Sequence, residues 1–151
     1  MTHFTIEDRQ KWIGLLARAA SASLQSFFEA IGQLPEFSEL RPPEAGMVMV
    51  RARIGGSGAP FNLGEMTVTR CSVLTLGHAG HALVQGLRPE HARFAAQADA
   101  LLQDEGWFKI VYPGLIEPLK RAEEERARSR AQDASATRVE FFTMARGEDE
   151  K

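Results

Sequence analysis

The chain has 151 residues, 44% of them apolar and 25% charged, with a net charge near −2, so it holds enough apolar mass for one globular core. That balance provides no global basic field for nucleic acid. The single cysteine, Cys71, excludes an intrachain disulfide, a CxxC motif and an iron–sulfur cluster held by this chain's own cysteines. No stretch approaches the ~18 apolar residues of a membrane span, and the opening MTHFTIEDRQKW is too polar for a secretory leader. The expected setting is cytoplasmic.

Apolar residues at Ile6, Ile13, Leu16, Ala17, Ala20, Leu24, Phe27 or Phe28, and Ile31 recur at helical spacing. Thr5 is placed to cap this helical region, with Glu7 and Asp8 in the first turn, and the serines at 21, 23 and 26 predict a division into two helices. Trp12 reads as a core residue.

After Pro35 the period changes to that of strands. FSELRPPEAG reads as a short strand ending at Pro42-Pro43, and MVMVRARI as a second. In the second, Val48, Val50, Ala52 and Ile54 share one face and are expected in the core. Met47, Met49, Arg51 and Arg53 share the other, which sets two guanidiniums about 7 Å apart by strand rise. Such a pair faces water, a shared anion or a carboxylate. GGSGAPFNLGE is then a turn, MTVTRCSVLTL a third strand, and AGHALVQG a fourth.

Pro89 opens a helix whose apolar stripe runs through Phe94, Ala95, Ala98, Leu101 and Leu102. GWFKIVYPG reads as a link to a last helix over about 115–134, charged all round apart from Ala122, Ala127, Ala131 and Ala134. So polar a helix contributes little to the core and bridges solvent or lies against another chain. Residues 1–135 thus form one domain with its last helix projecting. Residues 136–151 form a C-terminal segment, apolar on both faces of a strand-like run, that suits either the domain's own sheet or a partner. The fold class is α+β: N-terminal helices, an antiparallel β-sheet meander, then C-terminal helices and an extended apolar tail.

Few residues carry chemistry on their own. The Gly55-Gly56-Ser57-Gly58 loop fails the dinucleotide and Walker templates, because a strand follows it and no GK[ST] ending is present. A nucleophile elbow at Ser57 fails likewise, since Ala59 stands where glycine is needed. A hairpin turn remains, or an anion site in which Gly55, Gly56 and Gly58 form a backbone nest beside Arg51, Arg53 and Arg70. His78 and His81 are three apart and face opposite ways on a strand, so no metal site is expected. Cys71 reads as a small apolar residue, with His81 as the one base that strand pairing brings near. Glu123 to Glu125 are consecutive and spread around a helix.

Several blocks together resemble the G subunit of the bacterial carbon–phosphorus lyase system, the PhnG family. They include Arg9-x-x-Trp12, Pro43-Glu44-x-Gly46, Arg51-Ala52-Arg53 with its glycine loop, and Phe61-Asn62-Leu63-Gly64-Glu65 leading to Thr67-Val68-Thr69-Arg70-Cys71. Gln85-Gly86, Asp99-Ala100, Pro118-Leu119 and the ending Ala136-Thr137-Arg138-Val139-Glu140-Phe141-Phe142-Thr143-Met144 complete the match, with Arg146-Gly147 beyond. Glu140, His81 and Leu87-Arg88-Pro89 depart from the family pattern. The resemblance implies a cytoplasmic hetero-oligomer with subunits I (the most direct partner), H and J, and functional cooperation with the L protein. It implies support for displacement of adenine from ATP by a phosphonate, giving α-D-ribose 1-methylphosphonate 5-triphosphate. ATP is then a substrate of the complex, and no cofactor is expected in this chain. Nucleosidase-type chemistry falls to subunit I and C–P cleavage to the radical-SAM subunit J, so no catalytic residue is assigned here. Arg138, Val139, Phe141, Phe142, Met144 and Arg146 become the candidate partner interface. A nucleotide- or phosphate-binding module built on the glycine loop and the three arginines is the alternative.

Overall fold

The computed structural model describes residues 4–136. Two helices, α1 (Ile6–Arg18) and α2 (Ser21–Ile31), precede three strands, β1 (Ser38–Arg53), β2 (Pro60–Thr75) and β3 (His78–Gln85); α3 (Pro89–Leu102), α4 (Glu105–Val111) and α5 (Glu117–Ala136) follow. The strands form one antiparallel sheet in the order β1-β2-β3, so β2 is central and β1 and β3 are edges. This is the expected α+β arrangement.

Each helix starts and stops for a local reason. Thr5 and Asp8 close a capping box, the Asp8 N–H donating to Thr5 Oγ1 at 3.1 Å and the Thr5 N–H to Asp8 Oδ2 at 3.0 Å. Extended backbone at Ala19 and Ala20 separates α1 from α2, as the serine-rich stretch predicts. Trp12 and Leu16 of α1 and Leu24 and Phe28 of α2 enter the core, whereas Ile6 is 78% exposed. Pro89 occupies the first turn of α3, and Ala95, Ala98, Leu101 and Leu102 are buried as their spacing implies.

α3 lies against the sheet closely enough to require glycine beneath it. A Cβ on Gly80 of β3 would sit 1.9 Å from the Ala96 carbonyl oxygen and 2.6 Å from the Ala100 nitrogen. Alanines on α3 and Gly80 together let the two backbones approach, and Cys71, Val73, Ala82 and Val84 fill the layer between them.

Four expectations need correction. The chain from Ser38 to Arg53 is one strand, not two, with one register shift just before Pro42-Pro43 and another across it. Proline is tolerated there because β1 is an edge strand with one side unpaired. FNLGE belongs to β2 rather than to the turn. GWFKIVYPG is helical: α4 runs through a π turn at Tyr112–Ile116 directly into α5, and the Glu117 N–H reaches Tyr112 O. The wider π turn accommodates Pro113, which has no N–H to offer an α-helical ladder. Finally, Val48, Val50 and Ala52 are only half-buried and Ile54 is 65% exposed, so that strand face is not core.

The last point follows from length. β3 pairs with β2 only from Val68 to Thr75, while β1 and β2 remain paired out to Arg53 and Pro60. Residues from Met47 to Thr67 therefore form a two-stranded arm extending past the three-stranded sheet. None of them belongs to the core cluster.

Candidate functional site

The tip of the arm carries the glycine loop. Gly55 and Gly56 adopt φ of 61° and 82°, conformations that a side chain disfavours. The loop turns its own donors inward: the Ser57 and Gly58 N–H groups both donate to Ile54 O, the latter at 2.8 Å. Arg53 folds back so that its NH1 donates to Gly58 O at 3.2 Å. Of the three glycine N–H groups expected to build an outward anion nest, that of Gly58 is thus already engaged.

The three arginines do not converge. Arg51 and Arg53 share a strand face as predicted, and Arg51 is paired in register with Asn62. Arg70 lies eight residues further along β2 than Asn62, which is about 25 Å at ~3.3 Å per residue. Its Nε donates to Glu44 Oε1 at 2.8 Å, and Arg41 approaches the same carboxylate oxygen at 3.3 Å. Arg51 has no hydrogen-bond or ion-pair partner among the described residues. The candidate interface at Arg138, Val139, Phe141, Phe142, Met144 and Arg146 lies outside them.

Sequence reasoning missed the most concentrated polar site in the chain. Asp99, on the sheet-facing side of α3, is fully buried. Its carboxylate accepts Arg9 Nε at 3.1 Å and Arg9 NH2 at 2.8 Å, Trp12 Nε1 at 2.8 Å, and the His81 backbone N–H at 2.9 Å. Arg9 NH2 and Gln103 Nε2 also donate to Ala79 O, at 2.9 and 2.8 Å. The N–H of His81 and the C=O of Ala79 belong to the free edge of β3, so this cluster occupies the place of a fourth strand. A buried carboxylate is stable only when its lone pairs are filled in this way. The cluster closes an edge that would otherwise invite another chain. Its signal was a charged residue inside an alanine run, Ala98-Asp99-Ala100, together with a distant Arg9-x-x-Trp12.

A second buried polar side chain is similarly committed. His91 Nε2 donates to Leu16 O at 2.8 Å, and Nδ1 accepts from Ser21 Oγ and Arg88 NH2, each at 3.0 Å. Burial, with the Arg88 charge adding to it, holds His91 below the usual histidine range, so it is neutral. Burial raises the Cys71 thiol, and nearby Glu39 adds to that shift. Cys71 pairs with Ala82, while His81 stands opposite Ser72 and reaches Ser72 Oγ at 2.9 Å. His81 is thus no base for Cys71. A cleft of about 560 Å³ between α1 and the α4–α5 helix is lined by Trp12, Phe108, Tyr112, Lys11 and Lys120, among others. Among the described residues, no group of three or more His, Cys, Asp and Glu side chains could hold a metal ion, and no helix is long and apolar enough to cross a membrane.

Fold and site define a small α+β protein with a buried, internally satisfied carboxylate cluster and a protruding β-arm. The chain belongs to the family of the phosphonate metabolism protein PhnG, whose profile matches residues 7–147. It is similar to the alpha-D-ribose 1-methylphosphonate 5-triphosphate synthase subunit PhnG of Rhizobium meliloti (strain 1021), with 43% identity over 145 residues, or 95% of this chain and 92% of the relative.

Proposed function

We propose that this chain is the G-type subunit of an alpha-D-ribose 1-methylphosphonate 5-triphosphate synthase acting in phosphonate catabolism. The observation that carries this reading is the 43% identity to a named subunit of that synthase across 95% of the chain. In this reading the chain works in the cytoplasm with the H and I subunits and the L protein, and joins J in a carbon–phosphorus lyase core complex. A phosphonate oxygen forms a bond to the anomeric carbon of ATP as the C–N bond to adenine breaks. Adenine departs with a proton, and the triphosphate remains on the ribose. That chemistry needs an acid at the purine and anion-binding groups at the phosphonate, gathered within a few ångströms. A supporting rather than catalytic role is favoured because His91 is locked neutral, Cys71 is buried, and Arg70 is matched by Glu44.

The test is adenine release from ATP and methylphosphonate by the co-expressed synthase subunits with and without this chain. Release should fall to background when it is omitted; full turnover without it would sink the reading. A second reading keeps the arm tip as a phosphate site, on the single observation that Arg51 has no partner among the described residues. Calorimetry of the isolated chain with ATP separates the two, since a saturable heat removed by Arg51→Ala would favour the phosphate site.

A further inference from the structure

We propose that the distal arm is a protein-docking element, occupied by an extended, carboxylate-bearing segment of another synthase subunit that adds as a strand beside β1. The inference rests on the subunit reading above and identifies a surface which that reading does not assign.

Two features of β1 select this surface. Its proximal half carries Pro42-Pro43 and register shifts, which block strand addition. Its distal half has no proline, its one register shift, between Val50 and Arg51, is taken up by the extra residue Leu63 on β2 so that β1 itself stays regular, and its outer edge is unpaired. Along that half runs a stripe of Met47, Met49, Arg51 and Arg53, all exposed, with Met47 at 67% and Met49 at 51%. The stripe spans about 20 Å, the length of a six-residue strand. Methionine and arginine are the side chains that interfaces favour, one adaptable and apolar, the other forked and cationic.

Charge identifies the occupant. Of the four arginines on the strands, Arg41 and Arg70 each face a carboxylate within the chain. Arg51 and Arg53 have none among the described residues, and Arg53 meets only its own loop's carbonyl. A strand laid beside β1 places its side chains directly opposite this stripe, apolar against the methionines and acidic against the arginines. A free phosphate uses the arginines alone and leaves the apolar half of the stripe in water. A two-stranded ribbon with no layer against it is also only marginally stable in water, and a third strand with a covering surface removes that weakness.

The test uses the synthase subunits co-expressed with the full chain. Arg51→Glu with Arg53→Glu should lower the recovery of partner subunits at least tenfold, while Arg51→Lys with Arg53→Lys retains most of it. The thermal transition of the chain alone should be unchanged in both, because the arm lies outside the core. A photo-crosslinker in place of Met49 should join the chain to a partner subunit. Full assembly of the double-glutamate variant overturns the proposal, as does intact assembly with lost adenine release, which would mark a substrate-anion site. A crosslink to a second copy of this chain also overturns it. If the wild-type chain itself fails to assemble with the synthase subunits, the subunit reading falls and this proposal falls with it.

Discussion

Asp99 shows how one residue ties three segments together. Through four hydrogen bonds its carboxylate holds α1 at Arg9 and Trp12, and the edge of β3 at His81. Replacing it by asparagine puts an amide N–H₂ where a donor already points and removes the charge that Arg9 faces. Breaking one side of a buried pair costs about 3–5 kcal/mol, so Asp99→Asn should lower the unfolding free energy in urea by about 3 kcal/mol or more. His91 makes a different prediction. Its folded value is depressed, so the unfolded chain binds the proton first as pH falls. The stability it contributes is complete above the ordinary histidine value of about 6.5 and declines as pH drops below that. Thermal unfolding at pH 7.5 and 5.5 should show a loss that His91→Gln reduces. The carboxyls held low, Asp8 by its hydrogen bonds to Thr5 and Glu123 by Arg18, act at lower pH and do not obscure that window.

Among the elements, the turn between β2 and β3 is the least favourable local choice. Leu76 and Gly77 both have positive φ, at 50° and 78°, the pattern of a two-residue hairpin turn that asparagine and glycine favour. Leu76 is 51% exposed, so only half of it is buried in return. Leu76→Asn should therefore stabilise the domain by about 0.5–1 kcal/mol, read as a higher denaturant midpoint with an unchanged slope. The arm makes the converse point, because none of its residues belongs to the core cluster. Joining Val48 to Met66 through an Asn-Gly turn should leave the unfolding free energy within about 1 kcal/mol of the wild type. A larger loss would show that the arm supports the domain rather than projecting from it.

For the whole molecule, exposed apolar surface is concentrated away from the core. Met47, Ile54 and Leu63 are each about two-thirds exposed along the arm, and Leu74 and Leu83 lie on the open face of the sheet. From Lys120 to Ser135, every residue of α5 except Glu123 is exposed. Its link to α1 is a two-pronged Arg18–Glu123 pair at 2.9 and 3.2 Å. Surface of this kind is costly to leave in water. The chain purified alone should therefore self-associate, giving a mass above that of the monomer by light scattering, and should become a defined species when its partner subunits are supplied. A stable, monodisperse monomer would count against the subunit reading.

Local signals determined most of the elements here. The Thr5 cap, the helix break near Ser21, Pro89 at the start of α3, the α3 stripe and the alternation of β2 and β3 are short-range effects of sterics, hydrogen bonding and apolar spacing, legible without neighbours. Ordered blocks along the chain likewise carried the family. The tertiary structure alone decided which apolar alternation meets a core. Val73 and Val50 follow the same period, yet α3 covers the first while no layer covers the second. It also decided that Pro42-Pro43 lies within a strand, because only sheet order makes β1 an edge, and that Arg9, Trp12 and Asp99, up to 90 positions apart, form one hydrogen-bonded cluster. Most of all, it separated Arg70 from Arg51 and Arg53. Sequence places them on adjoining strands, but register sets them about 25 Å apart, and at that distance three arginines cannot hold one anion.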